Sequence, residues 1–121
     1  MMLDHIGIPV SNFARSKDFY TSVLKSLNCE LIMEVEGAAG FGTKGKPEFW
    51  FGEAPVHDKV HIAFAARNRE QVRKFYEAAL AAGGKDNGPP GIREHYHPNY
   101  YGAFVFDPDG HNIEAVCHDP E

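Results

Sequence analysis

Two histidines and one glutamate carry the chemistry this sequence offers. His5 stands in L-D-H-I-G-I-P-V (Leu3–Val10) and His61 in K-V-H-I-A-F-A-A (Lys59–Ala66). In each stretch a His directly precedes an aliphatic alternation of strand type. The third group is Glu114, a carboxylate flanked by Ile113, Ala115 and Val116 in a segment that reads as a largely buried strand. A buried carboxylate is costly unless it is paired or bound to a metal. Two neutral imidazoles and one carboxylate suit a borderline divalent ion with open coordination positions.

For the three to meet, the chain must bring distant strands together, and its internal repetition offers a way. His5 and His61 are 56 positions apart (61 − 5). The same offset relates Ile6 to Ile62, Phe19 to Phe75, Tyr20 to Tyr76 and Leu24 to Leu80. Identities at one offset across a strand and the segment after it indicate internal duplication. Two copies related by a pseudo-twofold axis set His5 and His61 across one cavity, with Glu114 from the last strand as the third ligand.

Each copy reads as βαβββ. In the first, strand Leu3–Val10 leads through Ser11 or Asn12, either of which can cap a helix, to a helix reaching about Leu27. Strands follow at Cys29–Val35 and, after the Gly-rich Gly37–Lys46 with its short, loose strand, at Glu48–Phe51. Pro55 marks a linker over Glu53–Asp58. The second copy opens with the His61 strand. Its helix is capped by Asn68 with Gln71 as a capping box and stops at Gly83–Gly84. A short strand at Lys85–Asn87, a long polar-aromatic loop over Ile92–Tyr101, and two strands joined by the D-P-D-G turn at Asp107–Gly110 complete it. The expected fold is α+β, one domain with module one at 1–54 and module two at 55–121, forming a cupped mixed sheet with the helices outside.

The motifs D-H-I-G-I-P-V, S-K-D-F-Y, V-H-I-A-F and F-D-P-D-G-H-N-I-E-A-V together resemble the vicinal oxygen chelate superfamily. That group spans glyoxalase I, extradiol dioxygenases and bleomycin- and fosfomycin-resistance proteins. The resemblance covers nearly the whole chain and implies paired βαβββ modules cupped around a metal, with ligands at His5, His61 and Glu114. One departure bears on the reaction. Aligning E-F-W-F with N-I-E-A pairs Trp50 with Glu114 (114 − 50 = 64), so Trp50 takes the place of a fourth ligand that glyoxalase I requires. The extra 8 over 56 is read as an insertion in the Ile92–Tyr101 loop. The resemblance then implies a metal-dependent enzyme of dioxygenase type acting on a small molecule that chelates the ion through adjacent oxygens. Fe(II) suits such a triad, with Zn, Mn, Ni and Co as alternatives. A glyoxalase-like lyase or isomerase, and a resistance-type binding protein without catalysis, are the competing readings.

The Ile92–Tyr101 loop lies where a lid would cross the cup. It offers His97 and Tyr101 as acid/base residues, and His95, Tyr96 and Tyr100 join Trp50 as pocket residues. A solvated loop is the alternative for the H-x-H pair. His111 and His118 are expected at the surface. Paired modules come from one chain or from two, and open sheet edges favour a homodimer. His5 would then share a cup with its own His61 or with that of a partner. With 43% hydrophobic and 24% charged residues and a net charge of −5, the chain has the makeup of a globular protein and offers no field for nucleic acid. No apolar run approaches membrane length. Cys29 and Cys117 lack C-x-x-C spacing and read as free thiols, so a cytoplasmic setting is expected.

Overall fold

The computed structural model describes residues 2–120. Its first module runs β1 (Ile6–Val10), α1 (Phe13–Lys25), β2 (Glu30–Val35), β3 (Ala38–Thr43) and β4 (Lys46–Glu53). The second runs β5 (His61–Ala65), α2 (Arg69–Ala81), β6 (Lys85–Asp86), β7 (Gly91–Ile92), β8 (Tyr101–Phe106) and β9 (Asn112–Cys117). The duplication seen in the sequence is thus a duplication of topology. One mixed sheet has the order β1-β4-β3-β2, the other β5-β9-β8-β6, with β7 beside β8. In each, the first strand runs parallel to the last strand of its module. Within one chain these are two sheets of four and five strands, and β1 and β5 are both edges.

Both helices begin where the sequence places their caps. Asn12 Oδ1 accepts from the Arg15 N–H at 3.0 Å, and Asn68 Oδ1 from the Gln71 N–H at 2.8 Å. The Gln71 side chain reaches back one residue past the cap, accepting from the Arg67 N–H at 2.7 Å. The Gly-rich segment is more regular than a loose strand. β3 lies second from the edge of its sheet because its glycines admit close neighbours: a Cβ on Gly42 would sit 1.9 Å from the Lys46 carbonyl oxygen.

Helix α1 covers one face of the first sheet through aromatic packing. Tyr20 lies 5.0 Å from Phe49 and 5.4 Å from Phe51, and Phe41 stacks on Phe51 at 5.7 Å. Helix α2 does the same for the second sheet, with Phe75 6.3 Å from Phe64. The helices also pack on each other, and Phe49 meets Phe64 edge-on at 5.2 Å, so one core runs through both modules. Tilted and edge-on ring pairs of this kind add to the stabilisation from burial.

The D-P-D-G turn is where the modules lock. Asp107 Oδ1 accepts from the N–H groups of Asp109 (2.9 Å) and His111 (2.8 Å), and its Oδ2 accepts from the buried Tyr20 hydroxyl of the other module at 2.5 Å. Burial foremost, then the Asp107 charge, pushes the Tyr20 phenol well above its ordinary pKa, so it stays a donor. Asp109 takes the Ser11 N–H and hydroxyl. His111 corrects an expectation. It is not at the surface but 0% exposed, because the turn docks against the end of β1 rather than facing water. Its Nδ1 accepts from the Val60 N–H at 3.1 Å, so Nε2 carries the hydrogen and donates to the Pro9 carbonyl at 2.8 Å. His118 is exposed, as expected.

Removing the inter-module phenol bond while keeping the ring isolates its contribution. A hydrogen bond to a charged acceptor contributes about 1.5–3 kcal/mol. Tyr20→Phe is expected to lower stability by that order, read as a lower urea midpoint at unchanged slope.

Candidate metal centre

The parallel pairing of β5 with β9 sets the site. Ala63 lies opposite Glu114 and His61 opposite Asn112, while on the other side Phe104 of β8 lies opposite Glu114. Alternation sends Ile113 and Ala115 into the core and Glu114 to the face opposite α2. There its side chain is almost wholly covered, with 1% of the residue exposed. His61 stacks near Phe104, ring centres 6.1 Å apart, and brings Nε2 to 3.0 Å from Glu114 Oε1. The other His61 nitrogen, Nδ1, lies 3.0 Å from the Asn112 carbonyl oxygen. A carbonyl only accepts, so Nδ1 carries a hydrogen. In the neutral ring Nε2 then aims a bare lone pair at the carboxylate. Two lone pairs at that distance need a cation between them, either a proton or a metal ion.

The second Glu114 oxygen, Oε2, accepts from the Tyr100 hydroxyl. Burial first, and then this bond, raise the Tyr100 phenol well above its usual pKa, so it remains the donor. Gly102 makes room for both groups: a Cβ there would lie 3.2 Å from the Tyr100 ring and 3.3 Å from Glu114 Oε2.

His5 lies elsewhere in the same chain. Exposed just ahead of β1, its Nδ1 pairs with Asp4 Oδ1 at 2.7 Å, and Lys46 Nζ donates to the Asp4 carbonyl at 2.7 Å. The His5 bond and then Lys46 hold the Asp4 carboxyl below its ordinary pKa. His5 shares an open pocket of about 550 Å³ with Asp4, Gly7, Lys46, Pro47 and Trp50. The strand registers make Trp50 the counterpart of Glu114. Gly7 pairs with Trp50 as Ala63 pairs with Glu114, and Gly40 with Trp50 as Phe104 with Glu114. The offset is 56 between Gly7 and Ala63 (63 − 7) and 64 between Gly40 and Phe104 (104 − 40), which puts the extra residues ahead of β8. The Trp50 indole lies over Gly40, where a Cβ would be 2.7 Å from Cε2 and 2.8 Å from Cζ2.

One chain therefore joins His61 to Glu114 and leaves His5 aside. Among the described residues of a single chain, no cluster of three or more His, Cys, Asp and Glu could hold a metal ion. The loop residues divide as well. Tyr100 reaches Glu114, and His97 lies against Tyr100 at 5.5 Å between ring centres. Tyr101 does not face the cup: its ring lies 5.0 Å from the Arg69 guanidinium, and its hydroxyl meets Arg73 of α2 at 3.2 Å. Tyr96 stacks between His95 (4.1 Å) and Tyr100 (4.7 Å). Three contributors were not singled out in the sequence. They are the Asn112 carbonyl that orients His61, Gly102, and His118, whose Nδ1 lies 2.5 Å from His97 Nε2. Only Gly102, a glycine inside a strand pattern, leaves a signal, since such glycines mark close approach.

Two donors of types that divalent ions take, one imidazole nitrogen and one carboxylate oxygen, converge here, with His61 Nε2 and Glu114 Oε1 3.0 Å apart, and a third would have to come from outside this pair. The bond from Nδ1 to a backbone carbonyl is the usual support of a ligating imidazole.

The sequence matches the Glyoxalase/Bleomycin resistance protein/Dioxygenase superfamily over residues 2–115, and the chain belongs to that superfamily. Among solved structures it is similar to a glyoxalase/bleomycin resistance protein from Albidiferax ferrireducens T118, with 26% identity, TM-score 0.85, and coverage of 97% of this chain and 99% of that one. The fosfomycin resistance protein FosX from Listeria monocytogenes shares the fold at 20% identity and TM-score 0.73, covering 98% and 94% of the two chains. A variant of FosX, solved with Mn(II) and 1S,2S-dihydroxypropylphosphonic acid, gives 22% identity and TM-score 0.70 over 94% and 87%. No curated protein matches the chain.

The chain has a single tryptophan, so its fluorescence reports the His5 pocket alone. Gly40→Ala is expected to displace the indole, shifting its emission and raising its quenching by acrylamide. Unchanged emission and quenching would contradict the placement of Trp50.

Proposed function

We propose that this protein is a divalent-metal-dependent enzyme, dioxygenase-like in its three-ligand set, acting on a small molecule that binds the ion through adjacent oxygens. The observation that carries this reading is the His61 Nε2–Glu114 Oε1 approach at 3.0 Å, with Nδ1 committed to the Asn112 carbonyl. His61 and Glu114 would hold the ion with His5 of a second copy. Both β1 and β5 are free edges, and at the β1 edge Ile6 is 39% and Leu3 60% exposed. A symmetric dimer that sets the β1 edge of one copy beside the β5 edge of the other covers these surfaces and completes two equal sites.

The bound ion would supply Lewis acidity and a template for the substrate oxygens. The chain's own residues do the rest. Trp50 occupies the position of a fourth ligand without a donor, leaving coordination room and an aromatic wall. Phe104 beside His61 adds a second apolar surface. Tyr100 holds the second oxygen of Glu114, and His97 packs against the Tyr100 ring. A second reading, binding or conversion of an anionic oxygenated molecule, is supported by Lys46, which lies with Asp4 in the pocket of His5 and Trp50. The FosX variant of the same fold was solved with such a molecule, 1S,2S-dihydroxypropylphosphonic acid, and Mn(II).

Elemental analysis of protein purified without chelators tests the ligand set. His5→Ala, His61→Ala and Glu114→Ala are each expected to lower metal affinity by more than the about 10–100-fold that losing an outer partner costs, and with it the occupancy after purification. Full occupancy in all three would reject the assignment. Mixing His5→Ala with Glu114→Ala chains restores one intact site in each mixed dimer, about a quarter of the wild-type content after random exchange. No recovery would show that the sites are not shared. Oxygen uptake with catechol-type substrates after ferrous loading supports the dioxygenase reading. Mn(II)-dependent binding of 1S,2S-dihydroxypropylphosphonic acid, without oxygen uptake, would replace it with the second.

A further inference from the structure

Among the described residues, Tyr100 joins His61 in touching the Glu114 carboxylate, and several contacts hold it there. Its ring stands edge-on to His97 (5.5 Å) and to His118 (5.3 Å). Those two histidines are joined to each other, His118 Nδ1 lying 2.5 Å from His97 Nε2. The hydrogen-bond pattern orders the pair. His97 Nδ1 accepts from the Asn99 N–H at 3.1 Å, so Nε2 carries the hydrogen and donates to His118. The backbone is closed on both sides, with Arg93 N–H donating to the Tyr100 carbonyl at 2.7 Å and Tyr100 N–H to the His97 carbonyl at 3.1 Å. Behind the ring, Gly102 leaves space that any Cβ would take from both the phenol and the carboxylate.

We propose that Tyr100 is a positioning residue that ties Glu114 Oε2 and so limits Glu114 to one metal-facing oxygen, Oε1. This rests on the metal reading of His61 and Glu114. A free carboxylate binds a divalent ion through one oxygen or two, and the choice changes how many positions remain for other ligands. With one lone pair of Oε2 engaged by a phenol, that oxygen is a weaker donor and its carboxylate plane is fixed, so chelation through both oxygens competes with the bond to Tyr100. The position so kept open serves a substrate that brings two oxygens of its own. The His97–His118 pair holds the ring and has no contact with the carboxylate itself.

Tyr100→Phe keeps the ring between the histidines and removes only the hydroxyl. The probe is Mn(II) alone on the intact protein, with the waters held by the ion counted from water-proton relaxation. Wild type is expected to retain more coordinated water, and Tyr100→Phe about one fewer as Oε2 joins Oε1 on the ion. Equal or greater hydration in Tyr100→Phe, with Mn(II) bound and melting as in wild type, would overturn the inference and leave the metal assignment standing. Wild-type protein that takes up no Mn(II), Fe(II) or Zn(II) would remove both.

Discussion

The arrangement of the candidate site follows from one constraint: the Asn112 carbonyl, opposite His61 across the β5–β9 pair, can only accept a hydrogen bond. That fixes the hydrogen on His61 Nδ1 and turns Nε2 toward Glu114. The carboxylate in turn is held by a strand whose neighbours on either side, Ala63 and Phe104, supply no charge. A carboxylate in such surroundings must find its compensation in the few groups that reach it. Here these are one imidazole and one phenol. The requirement for a cation between Nε2 and Oε1 arises from backbone geometry, before any resemblance is considered.

The same backbone keeps His5 apart from His61 and Glu114 within one chain. Tyr20 reaching Asp107, Ser11 held by Asp109, and His111 bridging Pro9 and Val60 fasten the modules at the turn between β8 and β9. Phe49 on Phe64 and α1 on α2 continue the contact through the core. With the apolar faces of both sheets committed to that shared core, the faces bearing His5 and His61 are left without a common cavity. The locking turn and the divided site are two consequences of one packing arrangement.

Much of this was legible in the sequence because it depends on local pattern. The duplication offset located matching strands and helices, Ser11 or Asn12 and then Asn68 announced the helix starts, and D-P-D-G announced the turn. The equivalence of Trp50 and Glu114 could be read because strand register obeys the same offset once the loop insertion is allowed for. What could not be read depends on tertiary placement. His111 follows a turn, and turns are usually wet, yet this one is the inter-module contact. Tyr100 and Tyr101 are adjacent and chemically alike, but strand alternation sends them to opposite faces, Tyr100 to the carboxylate and Tyr101 to the arginines of α2. A one-residue error in register exchanges their roles. The division of His5 from His61 was equally invisible, since a spacing in sequence does not say which copy of a repeat faces which.

The duplication is most informative where it has been broken. Both modules keep a His at the head of the first strand, but at the register position of Glu114 the first module has Trp50, lying over Gly40, instead of an acid. A glycine under an indole is a matched pair: the ring fills the space that the missing Cβ leaves, so the two positions must change together. On the second module the corresponding pair is Phe104 and Glu114, where the large side chain has moved to the neighbouring strand and the acid is left facing His61. One half thus presents His61 and Glu114 beside Phe104, the other Trp50 beside His5, Asp4 and Lys46. In the dimer proposed above the two halves would face each other, setting the Trp50 indole of one copy opposite the Glu114 carboxylate of the other, so that the break in the duplication is what would make the two walls of one cavity unlike.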